Sequence, residues 1–341
     1  MRWISRMSRV FSVMMLAFVL SGCRPETHKK GLPPRHVNYV LSGGSGFYDY
    51  APSAIETDSV RYIFLCQNKD PFKVVDHIYL YKGMPGRDGY RWGPGKEVLA
   101  PSDTGWDDVH VCDPDVRAFR LTYKGEVYNW IMTYLGVDRW DGKHNRIGLA
   151  FAKQIEGPYI KYDKNPVIAY GDTSKWGAGQ STSVVLDTAT IQLFYSRTDV
   201  MCVRNIKPAK ADSMVIGREH VVPYLHTNTY VAFSQKSRYA VSELRRRQSK
   251  QIPTWVGNHI RLLREPLSES LSAKEDGWEE IGFAGPDQTG FPRNHNPGFL
   301  TDDRGYLPSD SMAVVYFTTA VTGENWLWSY HLYSAEFDLT P

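Results

Sequence analysis

Four segments of the sequence repeat one pattern, and this repetition limits the possible folds more than any other feature. Each segment begins with a small or polar residue, enters a short apolar strand, passes a polar turn and returns as a strand rich in aromatic and β-branched residues. The period is roughly 50 to 65 residues. The segments are APSAIETDSVRYIFLCQ (51–67), DPDVRAFRLTYKGEVYNWIMTY (113–134), QSTSVVLDTATIQLFYSR (180–197) and NPGFLTDDRGYLPSDSMAVVYFTT (296–319).

Further strand-like segments follow three of these repeats, namely HIYLYKG, RIGLAFAKQIEGPYIKY and WSYHLYSAEFDL. Only AVSELRRRQ (240–248) has fair helical periodicity. Small antiparallel sheets repeated at this interval are typical of a β-propeller. The sequence therefore predicts an all-β chain with a five-bladed β-propeller over residues 47–341, and a β-sandwich with long loops is the alternative. The predicted blades begin near Asp49, Asp113, Gln180, Asn228 and Asn296, the fourth with the weakest pattern.

Polar residues stand at the predicted starts of the blades. The innermost strand of each propeller blade lines a central channel, so residues at the strand starts converge on one mouth of that channel. We therefore expect Asp49, Asp113, Gln180 and Asn296 to share a polar pocket. The alternative role for Asp113 is to cap a turn with its side chain, and Asp115 is a weaker candidate because we expect it to face away from Asp113.

The segments CDPDV and VYNWIMTY, joined by a glycine turn, and the later IGLAFAKQIEGPY resemble the five-bladed glycosidases of glycoside hydrolase families 43, 32 and 117. YAPS, HVCDP and GAGQS together also resemble a branch of bacterial propeller proteins without an assigned activity. The glycosidase resemblance covers most of residues 48–341 and implies hydrolysis of glycosidic bonds in an oligo- or polysaccharide. By position, Asp113 corresponds to the blade-two aspartate, which in those enzymes holds the substrate and tunes the pKa of the acid.

The sequence departs from this family pattern at two positions. Where relatives have Asp-Pro-Ser, this chain begins with Ala51, and the nearest carboxylate is Asp49. Because side chains two residues apart share a face of a strand, we expect Asp49 to point into the channel. Gln180 stands where a glutamic acid is expected, and an amide cannot donate a proton as an acid does.

A histidine is the expected replacement for the missing acid, because its pKa lies close to neutral pH. The resemblance to family 117, whose members are thought to use a histidine as acid, implies His295 in this role. His110 and His77, the latter oriented by Asp76, are alternatives. The predicted catalytic residues are Asp49, Asp113 and His295, and the predicted substrate-binding residues are His110, Gln180, Trp106, Trp176, Arg197 and Asn296.

The N-terminus has the features of a bacterial lipoprotein signal. Arg2, Arg6 and Arg9 precede the apolar run VFSVMMLAFVL, which is too short to span a bilayer, and LSGC resembles a lipobox. We therefore expect a signal peptide over residues 1–23, acylation of Cys23 (for example with palmitate), and a flexible tether over residues 24–46. Arg24 favours the outer membrane over retention at the inner membrane.

Charge and cysteine content restrict the possible ligands and the number of disulfides. The net charge is +3, and Arg245–Arg247 is the densest basic run, so nucleic acid is not an expected partner. Without Cys23, three cysteines remain, which allows at most one disulfide, and each is most simply a buried apolar residue. None has metal-ligand spacing, and we expect neither a metal nor a cofactor. The partners expected are a carbohydrate and the membrane, the latter through the lipid anchor.

Three functions remain open from the sequence. The first is a glycosidase of the cell envelope, and the second is a carbohydrate-binding lipoprotein that keeps the pocket but lacks the acid. The substitution of Gln180 at the acid position favours the second. The third is a scaffold whose channel residues are only structural, since propellers serve all three purposes.

Overall fold

The computed structural model describes residues 31–42, 48–68, 70, 72–87, 89–222, 225, 228–244, 257–267, 277–320 and 330–340. The predicted signal peptide, Cys23 and Arg245–Arg247 lie outside these residues. The described chain is almost entirely β, as the sequence predicts. Among these residues, no helix is long and apolar enough to span a membrane.

Within the described ranges the strands fall into five antiparallel groups, and the one helix found there, α1 (Pro286–Thr289), lies between the last two groups. Group 1 holds β2 (Tyr50–Thr57), β3 (Val60–Asn68), β4 (Asp76–Gly86), β5 (Gly89–Trp92) and β6 (Lys96–Leu99). Group 2 holds β7 (His110–Tyr123), β8 (Glu126–Val137), β9 (Arg146–Ala152) and β10 (Ile160–Lys161). Group 3 holds β11 (Ala178–Val185), β12 (Ile191–Arg197), β13 (Val200–Ala209), β14 (Ser213–Ile216) and β15 (His220–Val222). Group 4 holds β16 (Thr229–Phe233), β17 (Ser237–Leu244), β18 (His259–Pro266) and β19 (Glu279–Ala284). Group 5 holds β20 (Arg293–Thr301), β21 (Met312–Ala320), β22 (His331–Asp338) and β1 (His36–Ser42).

Groups 1 and 5 are not separate sheets. Their first strands, β2 and β20, run parallel and pair at Ala54–Leu300 and Ile55–Thr301, which joins the two groups into one nine-stranded sheet. A Cβ added to Gly298 would lie 2.2 Å from the carbonyl oxygen of Pro52, which shows how closely the two backbones approach at this seam. Glycine at position 298 therefore permits the contact.

The first strands of the groups form a closed ring. β2 packs against β7, β7 against β11, β11 against β16, β16 against β20, and β20 against β2. Apolar side chains that alternate along the strands fill the space between successive groups in five clusters. The cluster between groups 1 and 2 contains Phe64 and Met132, and the one between groups 5 and 1 contains Leu65 and Tyr316. The core is thus distributed around the ring rather than gathered at one point.

Two local predictions are wrong. Residues 36–42, predicted as part of a tether, form β1 and pair with β22 from His36–Glu336 to Ser42–His331. This pairing covers the edge of group 5, which would otherwise present unpaired backbone groups to solvent. Residues 240–244 of the predicted helix belong to β17, where pairing with β16 and β18 on both sides outweighs a weak local helical pattern.

One disulfide, Cys66–Cys112, joins β3 of group 1 to β7 of group 2, and Cys202 is a buried free thiol. The limit of one disulfide is therefore confirmed. The interpretation of Cys66 and Cys112 as simple apolar core residues is wrong, because adjacent strands bring their sulfurs together.

Replacing Cys66 and Cys112 together by serine is expected to lower the free energy of unfolding by about 2–4 kcal/mol. The bridge closes a chain segment with a sequence separation of 46, which restricts the unfolded state. Urea unfolding with and without dithiothreitol measures the effect, since the reductant should weaken the wild type and leave the double variant unchanged. Equal stability of the oxidised wild type and the variant would contradict this prediction.

Candidate functional site

Each inner strand has an irregularity near its start. Backbone φ is positive at Ala51, Asp113, Gln180 and Asn296, and at Asn228 directly before β16, with values between 42° and 55°. In β2, β7, β11 and β20 the strand register shifts at the same place. A left-handed conformation costs a non-glycine residue roughly 1–2 kcal/mol, and such bulges re-aim side chains near functional sites. These five residues are therefore the structurally equivalent positions of the repeat.

Side chains at these positions bind the backbone of the next group. Asp113 Oδ2 accepts a hydrogen bond from Gln180 N at 3.1 Å, and Gln180 Oε1 accepts one from Asn228 N at 3.1 Å. The equivalent residue of group 1, Ala51, has no polar side chain, and Asp113 N donates instead to Cys66 Sγ at 3.1 Å. Polar residues at the starts of the inner strands therefore have a structural role as well, since their side chains connect successive groups.

A cavity of about 540 Å³ opens above these bulges. Its volume lies within the range usual for small-ligand sites. Groups 1, 2, 3 and 5, and Asn228 before group 4, all contribute to its wall. The lining residues are Tyr50, Val74, Asp76, His110, Cys112, Asp113, Leu135, Asp141, Gly142, Asn145, Trp176, Gln180, Thr198, Asp199, Asn228 and His295.

Asp113 lies in the wall of the cavity and is 5 % exposed. Burial raises the pKa of its carboxyl to about 7, the charge of Asp76 adds to this, and the hydrogen bond from Gln180 N opposes it. A carboxyl that titrates near neutral pH can act in either protonation state. Such a shift in a cavity is characteristic of functional carboxyls.

His295 is held between a carboxylate and a phenol. Its Nδ1 lies 2.7 Å from Glu243 Oε1, and its Nε2 lies 3.2 Å from the hydroxyl of Tyr50. Burial alone would raise the pKa of Glu243, but His295 and the N–H groups of Asn296 and Gly257 outweigh it and hold the pKa below its ordinary value. Nε2, on the other side of the ring, thus faces Tyr50, which lines the cavity together with His295.

A second carboxylate–imidazole pair lies in the same wall. Asp76 Oδ2 is 3.6 Å from His110 Nδ1, and Asp76 also accepts a hydrogen bond from the hydroxyl of Tyr48. Burial raises the pKa of Asp76 against the opposing effects of His110 and Tyr48, and burial lowers the pKa of His110 against the charge of Asp76. The shifts of both partners favour their neutral forms, in contrast to ionised Glu243.

The structure brings five of the predicted site residues to the cavity, namely Asp113, His295, His110, Gln180 and Trp176. Asp49 does not line it. The bulge places Ala51 at the position equivalent to Asp113, and the buried carboxylate of Asp49 instead accepts a hydrogen bond from Gln67 Nε2 at 2.5 Å. The expectation that two residues along the strand restore the same face fails because the bulge interrupts the alternation.

Three other candidates also lie away from the cavity. Arg197 Nη2 is 3.2 Å from Glu219, although its neighbours Thr198 and Asp199 do line the wall. Asn296 is fully buried beside Glu243. Trp106 packs between Gly136 and Gly148, where a Cβ would lie 2.6–2.7 Å from the indole, so its role is in packing.

The two remaining weaker candidates also have other partners. His77 contacts Glu97 at 2.9 Å and is not oriented by Asp76. Asp115 forms a buried ion pair with Arg117 at 2.6 Å.

Glu243 and Tyr50 are the site residues that the sequence analysis missed. Glu243 lies in β17, the second strand of group 4, within the segment interpreted as a helix. If YAVSEL is interpreted as a strand, Glu243 is a single acidic residue among buried ones. An acid in such a position is rare without a partner, and this is the sequence signal that could have identified it. Tyr50 directly precedes the bulge of β2 and stacks on Tyr330, with ring centroids 5.6 Å apart.

Within the described ranges, one set of side chains has potential metal-ligand atoms close together, namely Cys66, Cys112 and Asp113. The two sulfurs are joined in the disulfide and so do not offer thiolates, the form that binds metals. The residues present therefore do not fit a thiolate metal site.

The sequence matches no family model and no curated protein. Solved structures do match. A thermostable family-43 glycoside hydrolase has a TM-score of 0.51 at 12 % identity, with 90 % of this chain and 92 % of that chain covered. A family 117 glycoside hydrolase of the marine bacterium Zobellia galactanivorans has a TM-score of 0.57 at 14 % identity, with 89 % and 90 % covered.

An α-L-arabinofuranosidase from Podospora anserina, solved in complex with cellotriose, has a TM-score of 0.55 at 10 % identity, with 89 % of this chain and 98 % of that chain covered. At such identities the likeness concerns the fold alone. It extends over nearly the whole of each chain. The protein therefore has the fold of these glycoside hydrolases.

Proposed function

We propose that this chain is a glycoside hydrolase built as a five-bladed β-propeller, each group of strands forming one blade. The closed ring of inner strands and the apolar clusters between successive groups support this arrangement, as does the shared fold. The observation that carries the activity is that one cavity holds Asp113, whose pKa is about 7, and His295, which Glu243 holds.

In the proposed reaction His295 is the general acid and Asp113 is the general base or nucleophile. His295 Nε2 gives its proton to the glycosidic oxygen as the bond to the anomeric carbon breaks. With Asp113 as base, water attacks that carbon and gives a proton to the Asp113 carboxylate, which then releases it to solvent while the imidazole takes up another. With Asp113 as nucleophile, its carboxylate oxygen bonds to that carbon, and water then displaces the carboxylate and returns a proton to the imidazole. Glu243 stabilises the imidazolium, as a buried carboxylate does for a catalytic histidine.

Polar and aromatic groups in the same wall suit a sugar ligand. Gln180, Asn145 and Asn228 give the cavity wall a polar character that suits sugar hydroxyls, and Trp176 adds a flat apolar ring to the same wall. Neighbours of this fold have been solved with cellotriose and β-1,3-galactotriose bound, which supports a carbohydrate ligand for this chain.

Binding of carbohydrate without hydrolysis is the second candidate. It is favoured by Gln180, which stands at the expected acid position and whose amide is engaged with Asn228 through both its oxygen and its nitrogen. In that case Asp113 and His295 would only hold sugar hydroxyls. Hydrolysis and binding must therefore be measured on the same ligands.

The test is a hydrolysis screen with cello-oligosaccharides, arabinoxylan, β-1,3-galactan and a set of aryl glycosides, comparing the wild type with His295→Gln. The wild type should release sugar with a rate that rises through about pH 7, since the Asp113 carboxylate must be ionised. His295→Gln should lose roughly 100-fold or more on natural glycans. It should lose much less on 2,4-dinitrophenyl glycosides, whose leaving group needs no proton.

Equal losses on both substrate types would remove His295 from the acid role. Retention on a glycan without product release would favour the binding candidate. If no substrate of the panel is either cleaved or retained, that result would contradict the proposed function.

A further inference from the structure

Two aromatic side chains on loops that border the cavity are exposed to solvent. Phe72 is 90 % exposed and lies in the loop between β3 and β4, two residues before Val74 of the cavity wall. Trp140 is 65 % exposed and lies in the loop between β8 and β9, directly before Asp141 of the same wall. Both side chains are thus exposed next to residues of the cavity wall.

The two loops are close to each other. Lys73 Nζ lies 5.7 Å from the centre of the Trp140 ring, so the side chain of the residue after Phe72 reaches the indole. Groups 1 and 2 therefore contribute to one aromatic rim, defined here by Phe72, Lys73 and Trp140. No function assigned above to the cavity uses these residues.

Several hydrogen bonds hold the loop that carries Trp140. Asp141 accepts hydrogen bonds from Arg139 Nε and Nη2 at 3.1 and 2.9 Å and from Lys143 N at 3.2 Å. His144 lies 3.2 Å from Asp138 and 3.0 Å from the carbonyl oxygen of Tyr170. These bonds restrict the backbone on both sides of the exposed indole, which lowers the entropy lost when a ligand stacks on it.

The loop that carries Phe72 is built in the same way. Asp70 Oδ1 accepts hydrogen bonds from Phe72 N at 2.8 Å and Lys73 N at 3.2 Å, and Asp70 N donates to Asn68 Oδ1 at 2.8 Å. Asp70 thus holds the backbone N–H groups of Phe72 and Lys73, as aspartate side chains do in turns. Hydrogen bonds to an aspartate therefore lie beside both rings of the rim.

We infer that the aromatic rim is a subsite for sugar rings of a glycan chain whose reacting end occupies the cavity. The inference rests on the proposed function and specifies its substrate as a chain that extends beyond the cavity. The apolar face of a pyranose or furanose ring is suited to stacking on Trp140 and Phe72, and the sugar hydroxyls around it suit Lys73 and Arg139 at its edge. The rim is continuous with the cavity wall, so a glycan that leaves the cavity on this side must cross the rim. A glycan chain is therefore the ligand that we assign to it.

The test compares the full-length Trp140→Ala/Phe72→Ala double variant with the wild type on long and short ligands. Affinity electrophoresis through arabinoxylan and β-1,3-galactan measures retention by polymers, and aryl glycosides report the cavity alone. The double variant should lose roughly tenfold in affinity for the retaining polymer and in kcat/KM on it. Its kcat/KM on the aryl glycoside should stay within twofold of the wild type.

Two controls accompany this comparison. Trp140→Phe keeps an aromatic ring. It should therefore retain most of the wild-type affinity that the single Trp140→Ala variant loses. Tyr39→Ala removes an aromatic side chain of 56 % exposure from β1, at the outer edge of its sheet, and should leave retention unchanged.

Each outcome is decisive. Full retention of the double variant on a polymer that the wild type cleaves would overturn the rim as a subsite and leave the proposed function intact. An equal loss on polymer and aryl glycoside would also overturn it, since the effect would then come from the cavity. A wild type that neither binds nor cleaves any ligand of the panel would overturn both.

Discussion

Replacing Asp113 with Asn is expected to lower the rate of glycoside hydrolysis by roughly 100- to 10,000-fold, the usual contribution of a general acid or base. The amide keeps an oxygen that can accept the hydrogen bond from Gln180 N, so the bulge of β11 keeps its partner. The loss therefore reflects the missing carboxylate rather than a collapsed cavity. Steady-state rates on the best substrate of the panel measure it, and an unchanged rate would remove Asp113 from the mechanism.

The same substitution is expected to make the protein more stable above pH 7. The folded-state pKa of about 7 exceeds the ordinary value of 3.8, so the folded protein holds a proton that the unfolded chain releases between these pH values. Stability of the wild type therefore falls as pH rises from about 4 to 7. At roughly 1.4 kcal/mol for each pKa unit, the full effect is about 4 kcal/mol, and Asn removes it.

Unfolding midpoints at pH 4.5 and pH 8 test this second effect. The gain in stability of Asp113→Asn over the wild type should be large at pH 8 and small at pH 4.5. Asp199→Asn is a matched control, because Asp199 lines the same cavity but is exposed, and its change should stay within about 0.5 kcal/mol. A gain of equal size at both pH values would show that ionisation of Asp113 is not its cause.

Glu243→Ala is expected to be the most destabilising single change at the site, by about 3–5 kcal/mol. It removes the buried partner of His295 and the acceptor for Asn296 N at 2.6 Å and Gly257 N at 3.0 Å. The depressed pKa of Glu243 means that its stabilising effect is present above its ordinary value of 4.5 and is lost as pH falls through its folded-state pKa.

Denaturant unfolding at pH 7 measures this loss. Glu243→Gln should be milder, since its amide oxygen can still accept one hydrogen bond, but it cannot stabilise a charged His295. Glu279→Ala removes a glutamate of 50 % exposure from an ion pair with Arg264 and should cost less than about 1 kcal/mol. A cost of that size for Glu243→Ala would show that the buried contacts contribute little.

The repeat pattern predicted the all-β class, and four of its predicted blade starts coincide with the five positive-φ residues at the inner strands. Asp113, Gln180, Asn228 and Asn296 were found because a polar residue before an apolar strand leaves a local signal. Group 1 lacks that signal, since its equivalent residue is Ala51, and the pattern points instead to the nearest acid, Asp49. That prediction is wrong because strand alternation does not continue through a bulge.

Contacts between distant parts of the chain could not be predicted in the same way. The pairing of Glu243 with His295 depends on how groups 4 and 5 face each other, which no local pattern encodes. The disulfide and the aromatic rim likewise join group 1 to group 2. His295 itself was predicted from the family resemblance, whereas the carboxylate that holds it became visible only in the structure.

The seam between β2 and β20 makes the order of folding matter. Tyr50 and His295 meet across this seam, and β1 completes the sheet of β22, so both ends of the chain must be present before the ring can close. Contacts separated by some 250 to 300 residues form late, since a long loop must be closed first. A chain that lacks its last strands therefore has no assembled His295–Tyr50 pair, and the wall of the cavity is complete only when β20 is in place.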